Sequence, residues 1–226
     1  MQSLIKKFEE PPIRKEEIFR YAHCGKNPGP DMERLMVECF LEARPVCTYN
    51  VCYIKMPIRW EGEKPDLGFG PIESAGLSEN LSGCDEAVIF AATIGIGIDR
   101  LISKYGRIAP SKCVIMQAIG AERIEALCDA FNAEIEAQAC MEGKSIRFRY
   151  SPGYKDFTLT NQKGIFDLLG CNTKIGLSLN DSMLMSPSKS VTAVIGIGTA
   201  TDTKGESDKC SRCDKLDCQF RFWEKR

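Results

Sequence analysis

The sequence predicts an α+β domain, and three observations carry that expectation. Residues 86–93 (EAVIFAAT) and 190–198 (SVTAVIGIG) are apolar runs of strand length, the first of them suited to burial on both faces. A stretch from about Ser111 to Glu142 holds an apolar stripe at helical spacing through Ile115, Ile119, Ile124, Leu127, Phe131 and Ile135. Between them, helices and strands mix without the regular rhythm of a parallel α/β sheet. The expected sheet is mixed and mainly antiparallel, packed by long helices.

The elements follow in order. The first residues, MQSLIKKFEEPP, have no apolar core of a signal peptide, which predicts a cytoplasmic protein. Residues 31–43 place Leu35, Met36, Cys39 and Phe40 on one helical face, with Asp31 and Glu33 at the start and Arg44-Pro45 closing it. Residues 47–60 are rich in Thr, Tyr, Val and Ile and predict strand, and residues 61–70, with Pro65, Gly68 and Gly70, predict loop. Residues 97–106 predict a short helix. In the long helix, Ser111 is the candidate cap, and Gly120 interrupts the stripe at a cost of about 1 kcal/mol against alanine, for which a close packing contact is one reason. SIRFRY predicts strand, NQKGIFDLLG a short helix ending at Gly170, and KIGLSL a strand before the final one.

The chain has 30 Lys and Arg against 31 Asp and Glu, so it builds no basic field for nucleic acid or an anionic membrane. Its longest apolar run is too short to span a bilayer. Residues 1–200 read as one domain and 201–226 as a cysteine-rich appendage. Nine of the twelve cysteines are scattered singly, as small hydrophobes kept reduced. Cys210, Cys213 and Cys218 are different. Three thiols within a largely polar run of nine residues suit zinc or an iron–sulfur cluster better than a core, with Cys171 a distant candidate for a fourth ligand.

Several motifs carry no chemistry. TIGIGIDR lacks the third glycine of a dinucleotide fingerprint, no phosphate-binding loop occurs, and Gly95 and Gly97 read as a structural turn. His23 is the only histidine and lies in a helix-end composition, so it reads as a surface or capping residue.

The stretch RFRYSPGYKDF, residues 147–157, is richer. Pro152-Gly153 suits the centre of a type II turn. Arg149 just before it can hold a carboxylate with two parallel hydrogen bonds, and the Tyr154 ring can cover an adenine or a cationic sulfur. A surface turn with packed Arg and Tyr explains the same residues, and from them alone the two readings stand level. If SIRFRY is a regular strand, Arg147 and Arg149 share a face.

RYSPGY resembles the R-x-x-x-G-Y signature of the activation domain of cobalamin-dependent methionine synthase. EEIFRYAHCGK, AATIGIGIDR, AIGAERIEALCDAF and PSKSVTAVIGIG resemble segments of stand-alone relatives of that domain, in the same order. The resemblance implies an α+β domain that binds S-adenosylmethionine and presents it to a cobalamin held elsewhere. One electron and one methyl group then restore methylcobalamin from cob(II)alamin. It implies that Arg149 grips the methionyl carboxylate, that Tyr154 lines the adjacent pocket, that Ser151 is a small residue whose backbone contacts the ligand, that Gly153 belongs to the same binding set, and that Glu125 stands near the ligand. The corrinoid is expected on a separate methionine synthase or related methyltransferase, with flavodoxin or ferredoxin as reductant. Two alternatives remain, a non-catalytic partner of a corrinoid protein and an iron–sulfur electron donor to one.

Overall fold

The computed structural model describes residues 2–25 and 28–199. Its central strand is β5 (Cys84–Thr93), in which every residue from Ala87 to Ala92 is buried. β2 (Asn50–Pro57) lies on one side and β9 (Ser190–Thr199) on the other. β1 (Leu4–Lys7) and β6 (Lys144–Ile146) form the edges, in the order β1-β2-β5-β9-β6, and each pairing is antiparallel. The expected α+β class, helices with an antiparallel sheet, is what the chain adopts.

Successive side chains on a strand point to opposite faces. Val88, Phe90 and Ala92 of β5 therefore join Ala193, Ile195 and Ile197 of β9 in one core. Ala87, Ile89 and Ala91 join Val194 in a second core on the other face. This double burial is why both strands read as continuous apolar runs.

The first core is roofed by α1 (Lys15–Tyr21), α2 (Pro30–Ala43), α4 (Gly97–Ile108) and α5 (Pro110–Met141). The stripe predicted for α5 is buried, and the Phe131 ring lies 4.9 Å from that of Phe90 and 5.2 Å from that of Tyr53. A buried phenylalanine of this kind stabilises by about 1.5–3 kcal/mol. The helix does not start on a Ser111 cap. Pro110 occupies its first turn and Ala109 precedes it, so the missing proline N–H removes one of the donors a cap would serve. At Gly120 the expected close neighbour is present: a Cβ would lie 2.9–3.1 Å from the aliphatic stem of Lys189.

The second core is covered by α3 (Ala75–Leu81), α6 (Asn161–Leu169) and α7 (Cys171–Ile175). α6 ends at Gly170 in the left-handed conformation, as its sequence predicts. The predicted strand KIGLSL is divided. Its start completes α7, and only β7 (Ser178–Leu179) pairs, with β8 (Met185–Ser186). The predicted loop 61–70 also differs. β3 (Arg59–Glu61) and β4 (Lys64–Asp66) form a hairpin that turns at Gly62, φ +63°. Three-residue strands show no alternation long enough to read, and Pro65 argues against one.

Gly95 and Gly97 are structural, as expected. Gly95 has φ +81°, and a Cβ on Gly97 would lie 2.2 Å from the Val46 carbonyl oxygen. They let β5 turn sharply into α4. Among the described residues no helix is long and apolar enough to cross a membrane.

Candidate functional site

SIRFRY is a strand only as far as Ile146, and the point where it fails builds the site. Arg147 N–H donates to the Gly196 carbonyl at 2.8 Å. The next pair is Tyr150 with Val194, joined by hydrogen bonds of 2.8 and 2.9 Å in both directions. Three steps on this segment oppose two on β9, which is a bulge. The extra residue breaks the alternation. Arg147 turns to the second core's side, where its Nη2 donates to the Ser82 carbonyl at 3.3 Å. Arg149 turns to the opposite face, against α5. The expectation that the two arginines share a face is therefore corrected, and the bulge is the physical reason.

On α5, Glu125 and Asp129 are one helical turn apart, so their side chains are neighbours. Arg149 Nη2 donates to Glu125 Oε2 at 2.5 Å, and its Nη1 donates to Asp129 Oδ1 at 2.7 Å. The Arg149 side chain is only 8% exposed, whereas those of Glu125 and Asp129 are 37% and 32% exposed. The site thus has a buried cation and two carboxylates facing partly outward. Burial works against the charge of Arg149, but the Glu125 and Asp129 carboxylates outweigh it and hold the guanidinium firmly protonated. Burial pushes the Asp129 carboxyl up, yet Arg149 and Arg14 prevail and keep it below the usual carboxylate range.

The turn beside Arg149 forms as the sequence predicts. Tyr154 N–H donates to the Ser151 carbonyl at 3.0 Å across Pro152-Gly153, and Gly153 has φ +96°. Tyr154 is exposed, with its ring 5.9 Å from that of the buried Tyr150. Asp156 fastens the turn to α3. It accepts from Ser74 Oγ at 2.8 Å and from the backbone N–H groups of Ala75 and Gly76 at 2.6 and 3.2 Å. Those bonds, led by that from Ser74, hold the Asp156 carboxyl below its ordinary value. A groove of about 1170 Å³ between the β3–β4 hairpin and α3 runs up to Asp156, with Trp60, Glu79 and Asp85 among its walls.

Arg149 and Glu125, with Asp129, form one cluster on the α5 side of the sheet, whereas the turn that carries Ser151, Gly153 and Tyr154 follows Arg149 in the chain and packs through Tyr154 on Tyr150 of the second core. Sequence reasoning missed Asp129, although its four-residue spacing from Glu125 was a usable signal. It also missed Arg14, which approaches from the far end of the chain and gives no local sign. His23 sits just past α1 with φ +56°. Among the described residues no group of three or more His, Cys, Asp or Glu is placed to hold a metal. Cys210, Cys213 and Cys218 lie outside the described residues. Cys171 is 1% exposed, and burial pushes its thiol up to about 12, so it is a poor fourth ligand.

The family described as the activation domain of vitamin B12 dependent methionine synthase matches residues 77–203, which include the long helix and the turn. The chain belongs to that family. Among solved structures, the crystal structure of the MetH reactivation domain bound to AdoHcy superposes with a TM-score of 0.63, over 89% of this chain and 80% of that one. Their sequences are 14% identical, so this likeness is one of fold. No curated protein matches the sequence. Membership of an activation-domain family implies a role in reactivating a cobalamin-dependent methyltransferase.

Proposed function

We propose that this activation domain binds S-adenosylmethionine at Arg149 and the Ser151–Tyr154 turn, and offers its methyl group to the corrinoid of a separate methyltransferase, a split methionine synthase. The observation that carries the reading is the bulge. It turns Arg149 away from Arg147 and against Glu125 and Asp129, two residues before the turn begins. The donor set suits a ligand with both charges. Arg149 would hold the carboxylate, as bidentate arginine chemistry favours. Glu125 and Asp129 carry the exposed negative charge for the ligand's cationic groups, and the Tyr154 ring offers an apolar face. The solved relative bound to AdoHcy supports a ligand of this chemistry.

When bound, the sulfonium supplies an activated methyl group and the partner's corrinoid the nucleophile. This chain's residues bind and orient, which is where the catalytic advantage of such a site lies. The electron for the corrinoid comes from an outside reductant such as flavodoxin or ferredoxin. The test is to combine the protein with a cob(II)alamin-loaded corrinoid domain, reduced flavodoxin and methyl-labelled S-adenosylmethionine. Label should pass to the corrinoid only when this chain is present. Transfer that is equally fast without it would refute the reading.

We assign Cys210, Cys213 and Cys218 to one metal centre, zinc or iron–sulfur, on their spacing and thiol chemistry. Protein purified without oxygen should carry zinc or iron in stoichiometric amount, and the triple serine variant should not. A wild type with neither metal contradicts this.

A further inference from the structure

Arg149 stands at one end of a charged chain that begins in the N-terminal segment. Arg123, 1% exposed on α5, donates to the Pro11 and Pro12 carbonyls at 2.6 and 2.8 Å. It is also bonded to Glu122, whose side chain is fully buried. Glu122 Oε1 in turn accepts from the backbone N–H of Arg14 at 3.2 Å and from its Nε at 3.3 Å. Arg14 Nη1 then reaches along α5 to Asp129 Oδ2 at 2.6 Å. Glu122 and Asp129 are seven residues apart, two helical turns, so one face presents both to the strap. Asp129 is thereby divided, with Oδ2 on Arg14 and Oδ1 on Arg149.

This division matters for any anion that approaches Arg149. Asp129 and Glu125 already lie against that guanidinium. With Arg14 in place the local set is two arginines against two carboxylates, and without it the balance becomes one negative charge in excess. Charges in a partly buried site are weakly screened, so an incoming carboxylate would meet that excess directly.

We propose that Arg14 is a positioning residue of the ligand site: it takes up one oxygen of Asp129, so that Arg149 keeps the charge and orientation to hold the carboxylate of an amino-acid-bearing ligand. This rests on the assignment of Arg149 to that carboxylate. It makes the N-terminal strap part of the site and gives it a share in specificity. The strap itself does not depend on Arg14, because Arg123 still grips Pro11 and Pro12.

The test compares S-adenosylmethionine with its decarboxylated analogue, which keeps the sulfonium and an amine but lacks the carboxylate. Both are titrated calorimetrically into wild type, Arg14→Gln and Arg14→Lys, with melting temperatures measured in parallel. Wild type should prefer the carboxylate-bearing ligand at least tenfold. Arg14→Gln should lose most of that preference, with affinity for the dicationic analogue no weaker than in wild type, and Arg14→Lys should restore most of it. An unchanged preference in Arg14→Gln overturns the inference, as does an equal loss for both ligands, which would mark a purely structural role. A wild type that shows no preference, or binds neither ligand, overturns the assignment of Arg149 instead and takes this inference with it.

Discussion

Arg149 illustrates how little of a residue's role its identity decides. Arginine two positions earlier has the same chemistry, yet Arg147 meets a backbone carbonyl of the second core's side while Arg149 meets two carboxylates of α5. The two should therefore separate by mutation. Arg149→Ala should weaken S-adenosylmethionine binding at least tenfold, and Arg147→Ala should leave it within threefold. Comparable losses would show that the arginines act together. Asp129 makes an acid-side prediction. Its carboxyl is held below its ordinary value of 3.8, so its ionised form binds the fold more tightly than the unfolded chain. That contribution is complete above the unfolded value and fades as the pH falls through the folded one. Asp129→Asn should therefore be less stable than wild type at pH 7, and the gap should narrow below about pH 4. Melting curves across that range decide it, and a gap independent of pH contradicts the argument. At Gly97 the constraint is steric. A methyl would meet the Val46 carbonyl at 2.2 Å, so Gly97→Ala should cost about 1–3 kcal/mol and lower the melting temperature.

At the scale of elements, what could be read from the sequence was whatever repeats. β5, β9 and α5 each carry many buried residues in a row or on a stripe, and each formed close to its expected bounds. The turn at Pro152-Gly153 was also readable, because its chemistry is local. The bulge was not. Nothing in RFRY marks an extra residue, and it arises from the register in which β9 receives Arg147 and Tyr150. The β3–β4 hairpin was hidden for a different reason, since three residues per strand leave no pattern. Asp156 is the case where element and site meet, for it ties the signature turn to the start of α3. Asp156→Ala should lower ligand affinity and increase protease cleavage near residue 154 while the sheet stays intact by circular dichroism. Unchanged cleavage and affinity would show that the turn holds itself.

For the whole molecule, one sheet with a core on each face accounts for the composition: strands apolar on both sides, helices apolar on one. The fold class followed from that pattern. The site's partners did not, because Arg14, Glu125, Asp129 and Arg149 converge from three separate parts of the chain, and only the helix pair has a spacing that sequence can show. The central claim is that this assembly is a binding site for S-adenosylmethionine. Isothermal titration of the wild-type protein with S-adenosylmethionine, beside Arg149→Ala of matched melting behaviour, tests it most directly. The account predicts one site per chain, with heat that falls to a tenfold weaker isotherm or less in the variant. A wild type that takes up no ligand, or a folded Arg149→Ala that binds as tightly as the wild type, would contradict it.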